Sequence, residues 1–182
     1  MKCLAIALAL VAALSFGMGS ACAQSFEVGA KIGIWAPKDL DIIAGAGGDN
    51  DSTTVQYGII GQFDFNETWA VRLDVELGNS KEVNFTSYVL SAVYNFPISE
   101  ESTWMPYVRV GIGAFNVDPR WVGGPDSKSV FGYEATVGIA YLYQNWKFFF
   151  EAGYRGASFE PVAGTEFKLD GIIAFFGVMY RF

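Results

Sequence analysis

Charged side chains recur at alternate positions along this chain, and the residue that most often does acid–base chemistry is missing. Arg72, Asp74 and Glu76 interleave with Val71, Leu73, Val75 and Leu77. Lys31, Arg109, Glu134, Glu151 and Arg155 sit in similar alternating runs. Carboxylates and guanidinium groups placed this way can pair with one another or line a path for protons or ions. They cannot build a Ser-His-Asp relay, because the 182 residues include no histidine, and no other residue here titrates near neutrality in its place. The two cysteines, Cys3 and Cys22, both lie near the N-terminus. Composition therefore excludes a zinc, copper or haem site built on histidine or cysteine; no cofactor is expected, and the chain reads as a non-enzyme. With 12 basic against 19 acidic residues, the net charge of −7 argues against nucleic-acid binding.

The elements that position these charges have a period of two, the signature of a strand with one apolar face. Eight segments show it: Phe26–Trp35, Val55–Phe65, Trp69–Gly78, Asn84–Phe96, a run about Val108–Ala114, Phe131–Tyr141, Phe148–Arg155 and Leu169–Phe182. Each is near or above the roughly 9–11 residues that cross a bilayer when tilted, and past residue 23 no uninterrupted apolar run approaches the ~20 that a membrane helix needs. The expected fold is all-β, an eight-stranded antiparallel up-and-down transmembrane β-barrel with both termini on the same side. An even, closed count leaves no strand edge in lipid. The face opposite the apolar series carries Glu27, Lys31, Asp64, Arg72, Asp74, Glu76, Arg109, Glu134, Glu151, Arg155 and Arg181. Eight strands enclose room only for side chains, so these groups are expected to form an interior salt-bridge network. A gated proton or ion path is the alternative.

The N-terminus carries Lys2, an apolar stretch from Leu4 to Phe16 and the small-x-small triplet Ala21-Cys22-Ala23. That is the pattern of a cleaved secretory signal peptide spanning residues 1–23, with the barrel domain at 24–182. Both cysteines then leave with the leader. Lipidation of Cys22 is disfavoured, because Gly19 stands where a large aliphatic residue belongs.

Connections alternate in length. Asn66–Thr68, Pro97–Thr103 and Tyr143–Asn145 are short or broken by proline, whereas Pro37–Thr54, Asn116–Ser129 and Ala157–Glu166 are long and rich in Gly, Asp and Pro. Trp69, Trp104 and Trp146 open odd strands on one rim, and Trp35 is expected on the other, where aromatic girdles form. Asp39, Asp41, Asp49 and Asp51 in the first long loop lack the glycine and distal glutamate of a calcium loop, so they read as a solvated acidic segment and no metal is expected. In the third, Arg120 and Trp121 are residue types that anchor interfaces.

The chain ends Phe176-Gly177-Val178-Met179-Tyr180-Arg181-Phe182, with Phe176, Val178, Tyr180 and Phe182 on one face. This ending resembles the C-terminal signal read by the outer-membrane assembly machinery of Gram-negative bacteria. Together with the leader and the eight alternating segments, it resembles the small outer-membrane barrel superfamily, which includes the barrels of outer membrane proteins A, X and W. The resemblance implies residence in the cell outer membrane and contact with its lipids, lipopolysaccharide and the barrel assembly machinery. The superfamily's lipid-modifying enzymes and proteases rely on a histidine, which this chain lacks. Two roles then stand: a structural or surface-interaction barrel that meets a ligand through its extracellular loops, or a small channel or transporter for small or hydrophobic solutes.

Overall fold

The computed structural model describes residues 25–37, 53–79, 83–98, 102–119, 127–162, 165–168 and 170–182. Alternating apolar and polar residues rich in valine, isoleucine and aromatics favour strands, and nine are present among the described residues. They are β1 (Ser25–Pro37), β2 (Thr54–Asp64), β3 (Trp69–Asn79), β4 (Val83–Asn95), β5 (Trp104–Pro119), β6 (Lys128–Tyr143), β7 (Trp146–Val162), β8 (Thr165–Lys168) and β9 (Gly171–Arg181). Each of β1 to β7 pairs antiparallel with the next, and β9 pairs with both β7 and β1, closing the ring.

The extra strand does not break the count of eight. β9 pairs with β7 as far as Arg155↔Gly171, and three residues further along each chain β8 resumes at Ser158↔Lys168. β8 therefore continues the register of β9 at Ser158↔Lys168 and Phe159↔Phe167 before it shifts toward Val162↔Thr165, and the barrel is a closed eight-stranded antiparallel one. Strands 5 to 7 run several residues further into the expected loops than alternation alone indicated, because paired backbone continues where the apolar series stops.

The stagger of the barrel follows from the registers. Glu27 leads through Gln62, Arg72, Ser91, Gly111, Glu134, Arg155 and Gly171 back to Pro37, ten residues along β1. Strand tilt and diameter follow from that stagger and the strand number.

The two ends differ. At one, Asn66 Oδ1 accepts from the backbone of Thr68 and Trp69 in a tight turn, and β6 and β7 are joined by Gln144–Asn145 alone. Gln144 takes a left-handed φ of 54°, as the first residue of a two-residue hairpin loop often must. Both ends of the barrel domain lie here, with the Phe182 amide donating to the Phe26 carbonyl at 2.9 Å. Aromatic contacts run along this rim: Trp69–Tyr94, Tyr94–Phe96, Trp104–Tyr141, Trp146–Tyr180 and Tyr180–Phe182, with centroids 4.8–5.1 Å apart. At the other end the connections outside the described residues leave the strands, and the Ala157–Glu166 segment expected as a long loop is instead mostly paired strand, with β7 running to Val162 and β8 starting at Thr165. Between them the outward face is apolar on all sides, with Ile59 and Val137 both 64% exposed, as lipid cover requires.

Candidate functional site

The interior places charges between two apolar layers. Inward residues of β1, β3, β5, β6 and β7 converge because each stands on the side of its strand opposite the lipid-facing series. Lys31 of β1 reaches Asp74 and Glu76 of β3 at 2.6 and 2.7 Å, and Glu151 of β7 at 3.8 Å. Arg72 of β3 pairs with Glu151 at 3.0 Å and donates through Nε to Gln62 at 3.0 Å. Arg109 of β5 meets Asp74 at 3.2 Å, Glu151 at 3.0 Å and Glu134, and donates to Ser91 at 3.0 Å. Arg155 of β7 joins Glu76 and Glu134 at 2.6 and 2.5 Å and donates to Gln56 at 3.0 Å. Four cations face four carboxylates, all of them buried.

A second cluster lies at the turn end. Glu27 takes Lys147 at 3.0 Å and Arg181 at 2.7 Å, and Asp64 lies 4.0 Å from Arg181. It too balances, with two cations and two carboxylates. Gln62 bridges the clusters, donating to Asp64 at 2.8 Å while accepting from Arg72.

Apolar layers close the lumen above and below. Trp35, Phe85, Val89, Phe115, Val117, Ile173 and Phe175 pack together toward the loop end. Ile60, Val93, Tyr107, Phe149 and Met179 do so toward the turn end. These rings also face the cations: Arg155 lies 5.1 Å from the Phe115 centroid, Arg72 5.1 Å from Phe149, and Lys31 4.2 Å from Phe175. Taking so many charges out of water is costly, and excellent geometry roughly offsets that cost, so the intact network adds little net stability while any broken pair is expensive.

Glycines make room for this packing. An added Cβ at Gly138 would lie within 2.6 Å of the Tyr107 hydroxyl, since the Tyr107 ring crosses β6 there to donate to Glu151 at 2.8 Å. Tyr107→Phe is expected to cost about 1.5–3 kcal/mol, the usual worth of a hydrogen bond to a charged group. Gly138→Ala should cost at least as much, because the ring must move. Urea unfolding of the two variants checks this, and a Gly138→Ala barrel as stable as the parent would refute it.

The structure brings Lys31, Arg72, Asp74, Glu76, Arg109, Glu134, Glu151 and Arg155 into one connected set. Phe176, Val178, Tyr180 and Phe182 lie on the outward face of the last strand and its tip, with Phe182 74% exposed. Arg120 and Trp121, and the aspartates of the first loop, lie outside the described residues. One expectation is corrected: Trp35 is not part of an outer aromatic girdle. It is fully buried within the lumen, 4.9 Å from Phe85, because it shares its face with Glu27 and Lys31. Sequence reasoning also missed Lys147, which shares the inward face with Phe149 and Glu151. Counting the alternation back from Glu151 finds it.

Comparison with known proteins agrees with this architecture. The outer membrane protein beta-barrel domain family matches residues 6–182. Neisserial surface protein A superposes with a TM-score of 0.62 at 17% identity, covering 87% of this chain and 97% of that one. The N-terminal barrel of Pseudomonas aeruginosa OprF gives 0.59 at 18% identity, over 87% and 97% of the two chains. The attachment invasion locus protein Ail of Yersinia pestis gives 0.54 at 18%, over 89% and 100%. No curated protein sequence matches.

Proposed function

Because this chain belongs to the outer membrane protein beta-barrel domain family and resides in the outer membrane, we propose that it is a non-enzymatic barrel that works as a structural or surface-interaction protein through its extracellular loops. The observation that carries this is the filled lumen, where ion pairs and aromatic layers occupy the space a solute would need. With the inside taken, loops on a rigid scaffold are the parts free to meet partners. Long loops outside and short turns in the periplasm is the orientation such barrels adopt. Residues 1–23 are the leader, and an intact mass beginning at Gln24 would show it. Phe176, Val178, Tyr180 and Phe182 serve as the assembly signal.

Charge narrows the kind of partner. Residues 38–53, 80–82, 118–128 and 160–170 together hold ten carboxylates and five cations, a balance of −5 at the loop end. Ail has been solved with the heparin analogue sucrose octasulfate. A loop end of this sign disfavours such a polyanion. It suits instead a basic partner surface, or lipopolysaccharide phosphates held through divalent cations, with Arg120 and Trp121 as anchors at the contact.

Two measurements test the reading. Purified protein in planar bilayers is expected to show no steady conductance, and immobilised heparin should not retain it at physiological salt. Sustained single-channel currents would instead favour a small channel for small or hydrophobic solutes. Heparin retention would overturn the charge argument.

A further inference from the structure

The last strand must join the first in one register out of several, and outward alternation does not choose among them. A slip of one residue turns the lipid-facing series inward, which the pattern forbids. A slip of two keeps every face and changes only which residues stand opposite. Val28, Ala30, Ile32 and Ile34 face Tyr180, Val178, Phe176 and Ala174 across the seam, and these pairs stay apolar after such a shift. The inward side differs. Gly29, Lys31 and Gly33 stand opposite Met179, Gly177 and Phe175, so each rung sets a glycine against a larger residue. At the end of that series Glu27 stands opposite Arg181, the one charged residue among the inward positions of β9.

Glu27 is fully buried, and Gln62 of β2 donates to it at 3.3 Å from the side away from β9. Arg181 donates through Nε at 2.9 Å and approaches through Nη2 at 2.7 Å, while Lys147 of β7 lies at 3.0 Å. One carboxylate thus ties β1, β7 and β9. The backbone holds the same corner: the Arg181 amide donates to the Asn145 carbonyl at 2.8 Å, and Asn145 Nδ2 donates to the Arg181 carbonyl at 3.0 Å. The other acid near Arg181 is Asp64, which already accepts from Ser25 and Gln62 at 2.8 Å.

We propose that Glu27, held between Lys147 and Arg181, is the register key of the closing seam, selecting the ten-residue stagger over closures slipped by two residues. Slipped one way, Arg181 lies opposite Gly29 and has no acid on its rung. Slipped the other way, it lies opposite Ser25 with Asp64 as its competing acceptor. In both, Glu27 loses its Arg181 partner, and Met179 meets Lys31 or Glu27 instead of Gly29.

Cysteine pairs on the outward face report the register. In the full chain carrying Cys3→Ser and Cys22→Ser, Ile32→Cys with Phe176→Cys marks the native closure. Ile32→Cys with Ala174→Cys or with Val178→Cys marks the two slips. Oxidation of the assembled protein in the native sequence should cross-link the first pair and leave the others at background. Adding Arg181→Glu, which sets like charges opposite one another, should raise a slipped pair several-fold while the native pair falls. Inverting the whole cluster with Glu27→Lys, Asp64→Lys, Lys147→Glu and Arg181→Glu should restore the native pair. The idea is overturned if Arg181→Glu leaves the native pair dominant, or if the inverted cluster fares no better than the single change. If Arg181→Glu abolishes the heat-modifiable folded band, recovery of that band and of the native cross-link on inversion supports the key, and failure to recover them rejects it.

Discussion

Arg109→Ala should lower unfolding stability by about 3–5 kcal/mol, the cost of stranding buried carboxylates whose partner is gone. The Arg109 guanidinium ties four other strands by polar contacts. Arg109 meets Asp74 on β3, Ser91 on β4, Glu134 on β6 and Glu151 on β7. Without it the central cluster holds three cations and four carboxylates, all away from water. Arg109→Met fills more of the volume but leaves the same imbalance, so it should be nearly as damaging. Combining Arg109→Met with Glu134→Gln removes one charge of each sign and should recover part of the loss, since neighbouring changes in one network are not additive. Urea titration in detergent micelles, followed by the shift of the folded band, measures all three. A single variant as stable as the parent, or a double variant no better than the single, would show that the network is not what holds the interior.

Deleting Phe182 should do the reverse: little to the folded barrel and much to its production. The side chain is 74% exposed, stacks on Phe26 with centroids 6.5 Å apart and contacts Tyr180 at 5.1 Å. Full burial of a phenylalanine contributes about 1.5–3 kcal/mol, so a mostly exposed one contributes a fraction of that. The truncated chain refolded in detergent should unfold near the parent's midpoint. In cells, by contrast, most of its surface display should be lost, because the terminal aromatic is part of the proposed assembly signal. Normal surface levels of the truncated chain would remove that role, and a large drop in the refolded midpoint would mean the residue is structural.

Period two was enough to place most of this molecule. Arg72, Asp74 and Glu76 against Val71, Leu73 and Val75 reveals which face looks inward, and the same parity assigns the inward set on the other strands. Parity cannot reveal register, however, since a shift of two leaves it unchanged. The partners of Lys31 on β3 and β7, and the ten-residue stagger that brings them together, were therefore invisible until the strands were paired. Trp35 was misplaced for a different reason. Its position at a strand end suggested a membrane-interface aromatic, while its parity with Lys31 pointed inward, and parity won because a wide ring fills the narrow lumen well. β8 was missed because the apolar series falters at Asp170, although pairing with β7 resumes in the same register at Ser158↔Lys168.

Among the described residues, the lumen and its turn-end rim together hold six cations and six carboxylates, a balance of zero. Carrying the set as one body through a membrane potential therefore does no net electrical work; only a change in the separation of its pairs along the barrel axis would. Moving one elementary charge through a membrane potential is worth about 2.3 kcal/mol per 100 mV, and here the contributions of opposite sign cancel. The chain's overall charge of −7 is therefore carried by residues outside this interior set. That cancellation is also fragile. Arg109→Ala would leave one uncompensated negative charge in the barrel, so the interior would carry a net charge in the same step that loses the pairs to Asp74, Glu134 and Glu151.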